Sequence, residues 1–308
     1  MAQITAALVK ELRARTGAGM MDCKKALTET EGDLENAVDW LRKQGMSAAA
    51  KKSGRIAAEG LVGAVIDGNA GALIEVNAET DFVARNDAFQ RFVRDAGAIA
   101  LAVDGDIDAL AAAAYPGDDR TVGEELTHLI ATISENMALR RCAALRVDKG
   151  VVVPYVHGAL SEGLGSIGVI IALESDGDTA ALQSLGKQLA MHIAAAQPDC
   201  VAIADIDPAN LERERKFLIE QARESGRPEN IIDKMVEGRL RKYYEEKALL
   251  EQVFVVDNET KISAVVENAA KDVGAPVRVQ AFVRYALGEG IEKKQENLAD
   301  EVAATLAG

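Results

Sequence analysis

Aromatic side chains are scarce in this 308-residue chain, at 4%, and Trp40 is the only tryptophan. An aromatic-lined ligand pocket is therefore not expected. The 48% of residues that are hydrophobic must pack mainly through small and aliphatic groups, which favours helices. Cysteine is rarer still: Cys23, Cys142 and Cys200 are odd in number and far apart, so they read as thiols of a reducing compartment rather than a disulfide framework. No run reaches the ~18 apolar residues that a membrane span requires. Met1 to Lys10 lacks the basic-then-apolar pattern of a secretory signal, so a cytoplasmic location without a membrane partner is expected. Positive charge is also short, with 35 Lys and Arg against 49 Asp and Glu and a formal net charge of −14. Such a chain repels phosphate backbones, and its densest basic stretch, Lys51, Lys52 and Arg55, is brief, so no nucleic-acid partner is expected.

Catalytic machinery is missing in the same way. Gly163-Leu164-Gly165-Ser166-Ile167-Gly168 matches G-x-G-x-x-G, but a dinucleotide site needs a helix after the glycines, and Val169 to Leu173 reads as a strand. The glycines are expected in a hairpin turn, and no cofactor is expected. There is no phosphate-loop motif, and Leu164 stands where a nucleophile elbow around Ser166 requires glycine. His128, His157 and His192 have no metal-ligand spacing with one another or with cysteine, so no metal is expected. His192 lies on a periodic helical face and reads as a core histidine. His157 ends a strand beside Gly158, where it is either a polar turn residue or a contact group.

What is present predicts an α+β chain in several units. Residues 1–45 predict a three-helix module: Thr5 caps a helix carrying Leu8, Val9 and Leu12, Gly17 ends it, a second helix spans Asp22 to Thr30, and Asp33 caps a third that stops at Gly45. Residues 46–55, small and basic, read as a linker. Residues 56–146 predict a core subdomain with the strand pair Gly60 to Ile66 and Ala72 to Val76 and a helix opened by Asp87. Residues 147–204 and 251–288 repeat that plan, with strands over Val151 to His157 and Ile167 to Leu173 and a helix from Thr179 to about Ala196. Setting Gly71 on Gly168 also sets Val76 on Leu173, which suggests a duplicated strand–strand–helix unit. Residues 205–250 predict an inserted antiparallel helical hairpin, with a seam of Leu211, Phe217, Leu218 and Ala222. After it come a strand over Gln252 to Val256, a helix over Lys261 to Val273 and a strand over Val277 to Tyr285. Residues 289–308 predict a terminal module with a helix over Ile291 to Leu306.

Two segments invite a functional reading. Met20 and Met21 adjoin a glycine-rich turn, where one fills the module's core or both offer an adaptable apolar contact. Asn77 to Asp87 lies between a strand and a helix. There Phe82 either folds back onto that helix or projects as an apolar wedge with Asp81 beside it.

Thr80-Asp81-Phe82-Val83, continued by Ala84-Arg85-Asn86-Asp87, resembles the signature loop of the bacterial translation elongation factor Ts family. Arg15-Thr16-Gly17-Ala18-Gly19-Met20-Met21-Asp22-Cys23-Lys24-Lys25-Ala26-Leu27 resembles the family's other signature, on its ubiquitin-associated-like module. His192 to Ala195, Met235 to Arg239 and Val283 to Glu292 are similar to further family segments, so the likeness runs in order along the whole chain. It implies a guanine-nucleotide exchange factor, not an enzyme of covalent chemistry. Such a factor binds elongation factor Tu in its GDP-bound and nucleotide-free forms and promotes GDP release. Carried over residue by residue, Phe82 inserts between helices of the GTPase and Asp81 disturbs its magnesium site, while Thr80 and Val83 shape the loop. His157 and Gly158 touch an adjoining surface. Val9, Leu12, Met20 and Met21 face the GTPase from the module, and the tail beyond Gly290 adds a contact. In some members the hairpin mediates self-association, so a homodimer through it is a further expectation. The chain departs from the family pattern at Ala78, where cysteine is frequent, and at Ser166, where a basic residue is common, and its stretch between His157 and Ile167 is longer than in some members. The rival reading is a ubiquitin-associated-type adaptor that uses the N-terminal module alone.

Overall fold

The computed structural model describes residues 4–117, 119–225 and 228–292. Among these the chain opens with α1 (Ala6–Thr16), α2 (Met20–Glu29) and α3 (Leu34–Lys52). Thr5 accepts the Leu8 N–H at the start of α1, Gly17 ends it in the left-handed region, and Asp33 caps α3 through the Asn36 N–H. Their shared core is Val9, Leu12, Cys23, Ala26, Leu27 and Ala37. The expected stop at Gly45 is not there. α3 runs through it to Lys52, because the alanine-rich segment that follows is a good helix former and a neighbouring helix covers it. Residues 46–55 are thus mostly helix rather than a tether.

The first sheet follows, with β1 (Glu59–Asp67) and β2 (Ala70–Ala78) joined by a tight turn at Gly68. Next come α4 (Asp87–Ala102), α5 (Ile107–Ala112), α6 (Val122–Ile133) and β3 (Met137–Arg146), then β4 (Gly150–His157), the short β5 (Leu164–Gly165), β6 (Ile167–Glu174) and α7 (Thr179–Ala196). The hairpin is α8 (Pro208–Glu224) and α9 (Glu229–Lys247), and α10 (Ile262–Val273) and β7 (Arg278–Ala286) complete the described elements. All strand pairs are antiparallel, in the orders β3-β2-β1-β5 and β4-β6-β7. The two sheets meet face to face through Val62, Leu73, Val152 and Ile170. Helix α4 covers the outer face of the first sheet with Phe89, Phe92, Val93 and Ala96, and α7 covers the second with Leu182, Leu185 and Leu189.

The repeat is visible in irregularities as well as in element order. The alignment that sets Val76 on Leu173 also superposes two bulges of the partner strands, at Arg140 of β3 opposite Glu75–Val76 and at Gln280 of β7 opposite Ala172–Leu173. Gly60 and Gly150, at matching strand starts, have φ of 120° and 128°, and an added Cβ would strike the carbonyl of Val76 in one case and of Leu173 in the other. A bulge and a strained glycine in the same places of both halves are hard to obtain without duplication.

Two further expectations are corrected. Gln252–Val256 is a turn with a single bridge, Val253 to Lys261, not a strand. Its β-type composition misleads because Gln252 and Phe254 are drawn inward while Val253 and Val256 face solvent. In the hairpin, Leu218, Ala222, Ile232 and Val236 make the seam, and Phe217 lies outside it, exposed. The expected terminal helix over Ile291–Leu306 falls, from residue 293 on, outside the described residues.

His192 is the core residue that the helical periodicity of α7 indicates. Gln252 Oε1 can only accept, so His192 Nε2 donates to it at 2.8 Å, and Nδ1 accepts the Val255 N–H at 3.3 Å. Burial pushes the histidine pKa down, against the opposing pull of the Gln252 bond. The fold therefore holds a neutral ring, while the unfolded chain takes up a proton near pH 6.5. Stability is full above that value and declines as pH falls below it, by at most about 1.4 kcal/mol per pH unit. The urea midpoint is expected to drop between pH 7.5 and 5.5, and the drop to shrink in His192→Gln. Equal slopes for the two proteins would contradict the neutral-ring assignment.

Candidate functional site

The segment after β2 is a short loop pinned at both ends. At its start, the Thr80 N–H and hydroxyl both donate to Glu135, at 2.9 and 2.7 Å. Glu79 accepts the Asn136 N–H and pairs with Arg55 at 3.4 Å, while Asn136 Nδ2 donates to the Arg55 carbonyl at 2.7 Å. In the middle, Val83–Arg85 forms one 3-10 turn, with the Arg85 and Asn86 N–H groups donating to the carbonyls of Phe82 and Val83. At the exit, the Asn86 side chain caps α4 by accepting from the N–H groups of Ala88 and Phe89.

This turn decides which apolar residue goes in. Val83 and Ala84 are buried against the first core, while Phe82, one residue earlier on a tight turn, is forced outward and is 76% exposed. Asp81 is exposed beside it. The loop therefore presents a large ring and a carboxylate on a frame that hydrogen bonds hold.

The other expected residues divide. Met20 and Met21 both lie in the exposed first turn of α2, at 61% and 74%, and neither fills the module's core. Val9 and Leu12 do not face outward. They are the inward side of α1, with Leu12 fully buried, because a three-helix module this small needs them as its core. As partner contacts they are withdrawn. His157 and Gly158 are exposed at the end of β4. The ring of His157 meets the Tyr155 hydroxyl at 3.2 Å, and the His157 carbonyl accepts from the N–H and hydroxyl of Ser166. Gly158 has φ of 62°, and a Cβ there would run into Ser166 Oγ, so the turn requires glycine.

Residues 158–166 do more than reverse the chain. Leu164 and Gly165 form β5 on the edge of β1, opposite Gly63 and Val62, and Ala64 N–H donates to the Gly163 carbonyl at 2.9 Å. A strap from the β4–β6 connection thus becomes part of the first sheet. The G-x-G-x-x-G glycines lead into strand β6, so no helix N-terminus stands where a pyrophosphate would sit.

The module is held to the same frame. Gly45 packs on Ala131 of α6, Lys52 Nζ reaches the Ile130 carbonyl at 3.4 Å, and Arg42 pairs with Glu124. Glu135, Asn136 and Gln90 all support the loop, and no sequence signal identifies them, since two of them come from beyond α6. Among the described residues no group of His, Cys, Asp and Glu is arranged to hold a metal ion, and no helix is long and apolar enough to cross a membrane.

The family model described as Elongation factor TS matches residues 79–289. The chain is 65% identical over 304 residues to elongation factor Ts of Rhodospirillum centenum and 62% identical over 307 residues to that of Rhodospirillum rubrum, covering 99% of both chains in each case. It is 55% identical over 308 residues to elongation factor Ts of Parvibaculum lavamentivorans, covering all of both. With likeness along its full length and the signature loop set out on the surface as described, the chain belongs to the elongation factor Ts family of translation elongation factors.

Proposed function

We propose that this chain is the guanine-nucleotide exchange factor of a translational GTPase, binding elongation factor Tu·GDP in the cytoplasm and speeding GDP release by disturbing its magnesium and phosphate site. The exposed Phe82 ring beside Asp81, on a loop fixed at both ends, carries the reading. In it, Phe82 enters between helices of the GTPase and Asp81 competes electrostatically with the groups that hold magnesium. Magnesium bridges the nucleotide phosphates to the GTPase, so weakening its hold attacks a large part of the binding energy.

Magnitudes require several contacts. A nanomolar nucleotide complex is worth about −12 kcal/mol, whereas burying one phenylalanine returns about 1.5–3 kcal/mol. Met20 and Met21 on the module and His157 with Gly158 at the end of β4 supply further anchors. The docking of α3 on α6 favours this over an adaptor that uses the module alone, because it fixes the module relative to the loop. Coupling is reciprocal, so a factor that weakens GDP is itself weakened by GDP and leaves when nucleotide returns.

The test is to mix the chain with elongation factor Tu loaded with fluorescent GDP and an excess of unlabelled GDP. Release at least tenfold faster than the intrinsic rate is expected at micromolar chain, equivalent to lowering the barrier by about 1.4 kcal/mol or more. An unchanged release rate at all concentrations would overturn the reading.

A further inference from the structure

We propose that Gln90 is a positioning residue that fixes the Phe82 loop and the 158–165 strap in one frame, so that Phe82 and His157, at the head of the strap, meet the GTPase as a unit. The inference rests on the function proposed above. Gln90 lies in the first turn of α4, half-buried between the two segments. Its Nε2 donates to the Ala84 carbonyl at 2.9 Å, on the exit side of the loop. Its Oε1 accepts the Ser161 hydroxyl at 3.0 Å and lies 3.5 Å from Arg94 Nη2, which donates to Ser161 Oγ at 2.8 Å.

These bonds admit one arrangement. Turning the amide over would set its oxygen against the Ala84 carbonyl and its NH₂ against the Arg94 guanidinium, with like partial charges facing on both sides. Ser161 receives from Arg94 and gives to Gln90, so its hydroxyl proton is committed as well. The relay runs from Arg94 through Ser161 and Gln90 to Ala84, two residues after Phe82. The far end of the strap is already tied to β1 through Leu164 and Gly165, and its near end leaves β4 at His157 and Gly158. Gln90 is thus the one side chain among the described residues that bonds both the loop and the strap.

A positioning role differs from plain support in what it changes. Loss of Gln90 leaves Phe82 exposed and able to bind, but removes the side-chain link between the loop's exit and the strap, so fewer bound complexes reach the geometry that releases GDP. The experiment measures fluorescent-GDP release from elongation factor Tu as a function of factor concentration, using the full chain, with Gln90→Met, Ser161→Ala, Ser161→Thr and the Gln90→Met/Ser161→Ala double variant. Gln90→Met keeps the stem and removes both polar atoms. It is expected to lower the maximal release rate about 3- to 10-fold, the scale of one or two neutral hydrogen bonds, at an unchanged half-saturating concentration and with no more than a small fall in the unfolding midpoint. Ser161→Ala is expected to match it, Ser161→Thr to restore the rate, and the double variant to be no worse than the single ones, since both remove the same link. A wild-type maximal rate in Gln90→Met, a Ser161→Thr variant as slow as Ser161→Ala, or additive losses would each overturn the inference. If the unaltered chain fails to accelerate release at all, the proposed function fails first. An active wild type with an indifferent Gln90 defeats this inference alone.

Discussion

Replacing Phe82 by alanine is expected to slow GDP release from elongation factor Tu about 10- to 100-fold, the kinetic equivalent of the 1.5–3 kcal/mol that burying a phenylalanine returns. The free chain should melt where the wild type does, because the ring belongs to none of the hydrophobic cores and is already in water. That separation of function from stability is unusual for so large an apolar residue. A phenylalanine such as Phe89 or Phe92, fully buried beneath the same loop, would cost about 3–5 kcal/mol on truncation to alanine and lose activity only through unfolding. Phe82→Leu retains an apolar body of smaller reach and is expected between the two. Asp81→Asn keeps the shape of the loop and removes its charge, and its release defect should shrink as magnesium is lowered, since there is then less metal to displace. The measurement is fluorescent-GDP release at saturating factor alongside a thermal melt of each variant. Full activity in Phe82→Ala would remove the wedge from the mechanism, and a lowered melting temperature would show that the ring supports the fold after all.

The sequence made the architecture legible where local chemistry and periodicity agree. Thr5 and Asp33 are caps at the positions their types favour, Gly17 ends α1 as a left-handed C-cap, and α4 opens at Asp87 with Asn86, one residue earlier, as its cap. The duplication was visible as one glycine register and extends to the bulges opposite Glu75–Val76 and Ala172–Leu173. What was not legible depended on long-range packing. Gly45 lies inside α3 because α6 covers that helix, and a single helix glycine costs only about 1 kcal/mol relative to alanine. Val9 and Leu12 satisfy the pattern of an amphipathic helix whichever way it faces, and only the assembled module shows that it faces inward. In the loop, Phe82 and Val83 are adjacent apolar residues, and composition cannot say which is buried. The 3-10 turn at Val83–Arg85 chooses Val83. The supports from Glu135, Gln90 and Ser161 join segments 55 or more residues apart, so neither spacing nor composition could announce them.

Glu75→Ala is expected to destabilise the chain by about 3 kcal/mol, because it breaks a buried ion cluster from its centre. Glu75 sits on β2 opposite the bulge of β3, with its carboxylate fully buried. It accepts from Arg140 at 2.8 Å, Arg141 at 2.6 Å, Asn77 at 3.0 Å and the Gly288 N–H at 2.8 Å. Arg141 continues to Glu289 and the Ala286 carbonyl and stacks 4.2 Å over Tyr285, so the cluster ties the first sheet to the end of β7. Burial by itself would raise the carboxyl pKa. The Gly288 N–H, Arg140, Asn77 and Arg141 together outweigh it and hold the group below its ordinary value of 4.5. A depressed carboxylate contributes its full stability above the unfolded pKa and loses it as pH falls through the folded one, so this contribution stands at pH 7 and decays below about pH 4.5. Removing the carboxylate leaves two guanidinium groups facing each other. Both keep some access to water, which places the loss at the lower end of the range for a broken buried pair. Glu75→Gln still accepts from Gly288 and should lose less. It should also show a flatter stability profile between pH 5 and 3 than the wild type, since the titrating group is gone. Urea unfolding at pH 7 and across that acid range measures both effects. A loss under about 1 kcal/mol for Glu75→Ala, the size of an exposed pair, would mean that the cluster does not join the two sheets energetically. A loss near the expected value would mean that one buried carboxylate couples the first sheet to the end of β7, and through it to the sheet that carries His157.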